Sequence, residues 1–349
     1  MISSGGRESL ESALISCFLI LGYFLVVNTM RTEKWLIRCV TALVSSATIV
    51  SLYGIYQYFA GKLNVQWLDT SYFTDIRGRV VSLFENSNVL AFYLVMVFPL
   101  SIALISKVRT KKEKFLCLLA SLSMLLCIVF TWSRGAWVAL IAGMVLFFII
   151  YSRRTLKYLL FAIPFLPLVL PSNVVHRFMS IGDLSDSSTF YRVYTWRGTL
   201  RMIKEYFWSG IGYGTSAFTG IYPEFAYAGM EAAEHSHSLF LQILCGIGFP
   251  GLLVFIAVMF LFSQRNLEYF GNPADKSSKI MTIAAFTSVI SALIMGLFDY
   301  IWYSYRVFFL FWVIVAISNA YIRIGDRDMS RRHTDEVCDR SSASLDLQI

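Results

Sequence analysis

The sequence predicts an all-α, polytopic membrane protein, and three observations carry that prediction. Hydrophobic residues fill 57% of the 349 positions and charged residues only 15%, too little charge to cover a soluble globule of that size. The mean hydropathy is +0.62. The apolar residues are gathered into about nine runs, each near the roughly 20 residues that an α-helix needs to cross about 30 Å of hydrocarbon.

In chain order the runs lie near 12–30, 37–59, 88–106, 115–132, 136–151, 156–171, 238–263, 280–298 and 306–322. Basic segments mark alternate connections: "MRTEKWLIR" after the first run, "KVRTKKEK" after the third, "SRRTLK" after the fifth, the segment from Arg265 to Lys279 after the seventh, and "RIGDRDMSRRH" after the ninth. Short loops rich in Lys and Arg stay cytoplasmic, so all five can lie inside together. The N-terminus is then outside and the C-terminus inside. "MISSGGRESLES" shows no basic n-region followed by a cleavage site, which leads to the expectation that further helices upstream are missing. The chain divides into N-terminal transmembrane helices (1–171), an extracytoplasmic loop with an amphipathic helix (172–237), C-terminal transmembrane helices (238–322) and a cytoplasmic tail (323–349) whose mixed charge reads as disordered.

The net charge of +8 follows from cytoplasmic anchoring and gives no reason to expect nucleic acid as a partner. The six cysteines show no pairing pattern and read as small apolar fillers. No CxxC, phosphate-binding loop or dinucleotide fingerprint is present, which argues against a zinc ribbon, an NTPase and an oxidoreductase.

Polar chemistry concentrates on the outer side. In "YRVYTWRGTLRMIKEYFWSGIGYG", Val193, Trp196, Leu200, Ile203 and Phe207 recur at helical spacing, while Arg197, Arg201 and Lys204 form a separate basic stripe. Ser187, Ser188 or Thr189 would cap this helix, and Gly210, Gly212 and Gly214 would end it. It is either an interfacial helix touching lipid phosphates or one whose arginines grip a particular phosphate through their planar forks. Arg134 of "TWSRGAWVAL" sits where two membrane runs meet with almost no loop. There it is either a snorkelling charge between Trp132 and Trp137 or a functional intramembrane charge. Asn86 and Asn88 precede the third run and either cap backbone amides or recognise sugar or phosphate beside Arg77 and Arg79. Asp299 and Arg306, in "FDYIWYSYR", read as a structural ion pair.

Two of the chain's four histidines, His235 and His237, stand two positions apart at the edge of the seventh run. On a helix they would point about 200° apart, so they could share a metal only if "EHSHS" is extended, and no HExxH-like spacing supplies a third ligand. A general base needs less, a single neutral imidazole within reach of a proton. His237 is the better placed because it begins the following helix, leaving His235 to shape the loop or contribute to sugar contacts. No metal and no cofactor are expected.

"TWSRGAW", the Asn-x-Asn of "FENSNVLAFYL", "YRVYTWRGTL…GIGYG" and "HSHSLFLQILCGIGFPGLL" stand in the order and approximate spacing of the O-antigen ligase and polymerase family, which the chain resembles over roughly residues 80–255. The resemblance implies transfer of an oligosaccharide from undecaprenyl pyrophosphate, at the outer face of the cytoplasmic membrane, to a hydroxyl on a glycan, lipid or protein acceptor. It further implies a periplasmic His base, here His237, and pyrophosphate-binding arginines. Arg134 and Arg192 match the motif positions, and Arg197 and Arg201 are further candidates. The sequence departs from the family pattern at Ser87, between the two Asn, and at Ser238, after the His. The usual twelve helices would be nine, which agrees with an N-terminus placed outside and implies that truncation lowers the activity of this chain. Within the family the alternative is a polymerase of glycan repeat units. From another class, a transporter of an anionic solute or lipid would use the same arginines, but no internal repeat or matched pair of broken helices supports it.

Overall fold

The computed structural model describes residues 4–62, 78–162, 172–183, 186–271 and 276–346. In order the helices are α1 (Ser4–Thr29), α2 (Glu33–Phe59), α3 (Ser87–Lys107), α4 (Lys111–Phe130), α5 (Arg134–Tyr151), α6 (Arg153–Ala162), α7 (Ser172–Met179), α8 (Ser187–Glu205), α9 (Thr215–Ile221), a 3₁₀ turn (Tyr222–Glu224), α10 (Leu239–Gly271), α11 (Lys276–Met295) and α12 (Tyr305–Asp346). No strand occurs among the described residues. Eight of the helices, α1 to α5 and α10 to α12, are long and apolar enough to span a membrane, so the chain is an all-α, multi-pass membrane protein. The expected run at 156–171 begins within α6 and passes outside the described residues after Ala162.

Burial sorts the spans. α3 and α11 are mostly buried and form the centre, whereas α1 is exposed along most of its length. α3 packs against α2, α4, α5 and α11, and α1 against α12. Lys107 pairs with Glu33 at 2.8 Å, which joins the "MRTEKWLIR" and "KVRTKKEK" segments at one end of the bundle. The turns at 131–133 and 296–304 and the 172–237 connection gather at the opposite end, where Arg134 meets Asp186 and His237 meets Asp299.

Two sequence expectations need correction here. The tail is not irregular: α12 continues to Asp346 without a break. It grows from a helix already fixed by the membrane bundle, so it carries no nucleation cost. The second concerns α8. Its cap is Asp186, which accepts from the Thr189 amide, and not Ser187, Ser188 or Thr189. Its buried face is Thr195, Gly198, Thr199, Met202 and Ile203, whereas Leu200 of the expected apolar stripe is 47% exposed. Met202 and Ile203 instead close a small second core with Phe218, Tyr222, Ala233 and Cys245. Gly198 lets the Tyr222 ring lie against the helix; a Cβ there would come within 2.9 Å of it. The tightest packing of α8 therefore lies on a face other than the expected stripe, whose Val193, Trp196 and Phe207 are only part-buried.

A kink in α10 explains the glycines on both sides of it. Pro250 has no amide hydrogen, so the Gly246 carbonyl loses its helical donor. Gly212 supplies one at 2.9 Å, Ile211 donates to Cys245 O at 2.8 Å, and the Phe249 amide donates to Phe207 O at 2.8 Å. Thus "FWSGIG" and "CGIGFP" satisfy each other's backbone where free polar groups are costly. The approach requires Gly248, at φ +70° and ψ −179°, because any Cβ there would overlap the Trp208 carbonyl. Gly248→Ala is therefore expected to lose about 1–3 kcal/mol from backbone strain alone, read as a lower thermal midpoint of the detergent-purified protein. An unchanged midpoint would contradict the role given to this contact.

Candidate active site

"EHSHS" is irregular, and its local hydrogen bonds show how it is held. His237 sits at φ +50°, a left-handed conformation that a non-glycine residue seldom adopts. The His237 amide donates to His235 Nδ1 at 3.2 Å, and the Trp196 indole donates to the His237 carbonyl at 3.1 Å. Just beyond, the Leu239 amide donates to Gly296 O at 2.7 Å, tying the start of α10 to the turn after α11. His237 is thereby locked between α8 and that turn. His235 is buried and stacks on Tyr303 with ring centroids 5.2 Å apart. Burial pushes its pKa down to about 3, so it stays neutral.

Asp299 is the centre of the site. Its Oδ1 lies 3.2 Å from His237 Nδ1 and accepts the Tyr300 amide at 2.9 Å. Its Oδ2 accepts Asn88 Nδ2 at 2.7 Å and lies 3.7 Å from Arg192 Nη2. Asn88 in turn accepts from Arg79 at 2.6 Å, and Arg79 also donates to the Thr131 carbonyl at 2.7 Å. Burial, the largest influence on Asp299, opposes its ionisation, but the His237 hydrogen bond and the Arg192 charge outweigh it and hold the carboxyl below the ordinary carboxylate range. Burial, then the charges of Arg192 and Arg177, lowers Arg79 to about 9, which leaves it protonated at neutral pH.

The reading of Asp299 and Arg306 as an ion pair is overturned. Arg306 turns outward to Glu85 at 3.6 Å, and the carboxylate turns inward. The two are seven residues apart across a turn whose irregular course carries Asp299 toward α3 and α8, a direction that spacing alone does not reveal.

Arg134 is buried, not snorkelling. It donates to Asp186 at 2.7 Å, Thr189 Oγ1 at 3.0 Å and the Ser180 carbonyl at 2.8 Å, while Arg177 donates to the other Asp186 oxygen at 2.6 Å. Burial opposes ionisation of Asp186, but the Arg134 hydrogen bond and the two guanidinium charges outweigh it and keep the carboxyl below its usual range. Arg134 and Arg192, from α5 and α8, line one cavity of about 270 Å³ together with Gly135, Thr189, Trp196 and Phe298. His237 is not among the lining residues, but adjoins them through Trp196 and through Phe298, the neighbour of Asp299. Arg79, Arg134, Arg177 and Arg192 gather at this end of the bundle around Asp186 and Asp299.

The other predicted residues fall elsewhere. Arg197 and Arg201 are exposed and stack on tyrosines, 5.3 Å over Tyr194 and 4.0 Å over Tyr227. Asn86 caps α3 by accepting the Asn88 amide. Arg77 lies outside the described residues. Side-chain ligand atoms of His235, His237 and Asp299 lie within 4.8 Å of one another, close enough to hold a metal ion in principle. They fit one poorly: His235 Nδ1 already accepts the His237 amide, both Asp299 oxygens have donors, and Arg192 beside Asp299 opposes an added cation.

A multi-pass membrane protein whose turns at one end of the bundle enclose an arginine-lined cavity beside a carboxylate-bound histidine is suited to handling an anionic, membrane-borne substrate. Residues 119–256 match the family model for O-Antigen ligase, which supports assigning the chain to the O-antigen ligase family that its motifs resemble. The match supports a glycan-processing, glycosyl-transfer function in the membrane. It includes Arg134, Asp186, Arg192, His235 and His237, and leaves out Arg79, Asn88 and Asp299. No curated protein matches the chain.

Proposed function

We propose that the chain transfers an oligosaccharide from a lipid pyrophosphate donor to an acceptor hydroxyl on the outer face of the cytoplasmic membrane. The observation that carries this reading is the adjacency of the Arg134–Arg192 cavity to the His237–Asp299 pair. With Asp299 ionised, His237 carries its proton on Nδ1 and leaves Nε2 bare to accept another. The acceptor oxygen gives its proton to Nε2 and bonds to the anomeric carbon. The bond from that carbon to the pyrophosphate oxygen breaks, inverting the anomeric centre, and the lipid pyrophosphate departs with the electron pair. Arg134 and Arg192 hold the charge that develops on it. Neither metal nor nucleotide enters this step, since the donor already carries a good leaving group.

Comparing lipid-linked glycans in cells with and without the gene tests the function. Loss of a ligase accumulates full-length lipid-linked glycan and loss of a polymerase accumulates single repeat units; no change in either would sink both. For the residues, Arg192→Ala and Arg134→Ala are each expected to weaken donor binding about 10- to 100-fold, the range for a hydrogen bond to a charged group. Titrating the purified variants with lipid pyrophosphate checks this. Unchanged affinity in both would remove the cavity from the mechanism.

A further inference from the structure

α8 presents three faces. Thr195, Thr199 and Met202 are buried, Thr189, Arg192, Val193 and Trp196 line the cavity, and a third stripe looks outward. That stripe is Phe190, Tyr194, Arg197, Arg201 and Lys204, at every third or fourth residue, about 100° round the helix from the cavity face and about 21 Å long at 1.5 Å per residue. Its groups are arranged as rings and guanidinium planes. Phe190 and Tyr194 have ring centroids 4.3 Å apart, Tyr227 meets Tyr194 edge-on at 5.3 Å, and Arg197 and Arg201 lie over Tyr194 and Tyr227.

Two features point to a ligand. Among the described residues, none of Arg197, Arg201 and Lys204 pairs with a carboxylate, although Arg134, Arg177 and Arg192 all do. Moreover, a guanidinium laid on a ring is held in place without using any N–H donor, so its fork remains free for a carboxylate. Phe190, 39% exposed, adds an open aromatic surface of the kind that receives the C–H face of a sugar ring.

We propose that this outer stripe of α8, with Tyr227 beside it, binds acidic sugar units of the glycan whose pyrophosphate end occupies the neighbouring cavity. The ligand class rests on the glycan-transfer reading above. Arg197 and Arg201 thus recognise the sugar chain and not the pyrophosphate, and they favour glycans that carry carboxylates.

The test uses the full chain purified in detergent, a fluorescent oligogalacturonate, and an uncharged malto-oligosaccharide of equal length. The acidic probe should bind at least about tenfold more tightly than the neutral one, and the double variant R197Q/R201Q should remove about tenfold or more of that affinity. Both sites are exposed, so folding is retained, and an unchanged thermal midpoint verifies it. Arg134→Ala should bind the probe as the unaltered protein does while losing lipid pyrophosphate affinity, which separates failure of this inference from failure of the transfer reading. Equal binding of the two probes, or full affinity in R197Q/R201Q, would overturn it. So would displacement of the probe by phosphatidylglycerol vesicles with the same dependence on the two arginines, which would make the stripe a headgroup contact.

Discussion

Replacing His237 by alanine is expected to lower turnover about 10²- to 10⁴-fold, the usual contribution of a positioned general base. Donor binding should be largely retained, because Arg134 and Arg192 line the cavity independently of the imidazole. His235→Ala should cost less. His235 is buried, neutral and already engaged with the His237 amide, so its loss loosens the segment without removing a proton acceptor. Single-turnover rates on a lipid-linked donor, with donor affinity measured in parallel, separate the two effects. Equal losses in both variants, with turnover stopped by chelators and restored by zinc, would show that His235, His237 and Asp299 act together as a metal site. Nothing should change on chelation if His237 is the base.

Much of this site was legible in the sequence, for identifiable physical reasons. Arg134 stood out because a charge at the junction of two membrane runs must be paired or hydrated, and it is paired, with Asp186. His237 stood out because it adjoins the start of a helix, although the helix begins at Leu239 and the imidazole is held by the irregular segment before it. The spans themselves were legible because lipid exposure enforces long apolar runs whatever their packing, as in α1 with its exposed Phe18 and Leu25.

What spacing concealed was direction. Arg192, Arg197 and Arg201 of α8 read as one set of phosphate ligands, but rotations of about 140° and 180° separate Arg192, on the cavity, from Arg197 and Arg201, on the outer face. The apolar stripe misled similarly: Gly198 and two threonines form the tightest face, because small residues admit the Tyr222 ring where larger ones would not. Asp186 was overlooked beside three serine and threonine candidates for the same cap. Its carboxylate does what their hydroxyls could not, accepting the Thr189 amide and two guanidinia together. Asp299 was assigned to Arg306 because a short turn suggests a local partner. Its real partners come from α3, α8 and the His segment, and only the tertiary fold brings them to it.

Asp299→Asn should consequently lower turnover about 10²- to 10⁴-fold, as expected when a histidine base loses the carboxylate that sets its tautomer. An asparagine amide facing His237 would donate to Nδ1, moving the imidazole proton to Nε2, where it blocks proton acceptance. Donor affinity should not fall, because Arg192 and Arg79 lose a counter-charge and the cavity becomes more positive. That combination distinguishes a positioning residue from one needed only for folding, whose loss would weaken turnover and binding together. Asp299→Ala should in addition cost about 3–5 kcal/mol of stability, since it strands buried charge that had a partner. The pH dependence follows from the depressed carboxyl of Asp299. Its stabilising contribution is fully present above the ordinary carboxylate pKa of about 3.9 and is lost only as pH falls through the lower folded value. Between about pH 5 and 8 the native carboxylate is therefore constantly ionised, and any acid limb of activity in that window belongs to another group. Turnover of Asp299→Asn within a few-fold of the unaltered protein would refute the tautomer role, and with it the assignment of His237 as the base.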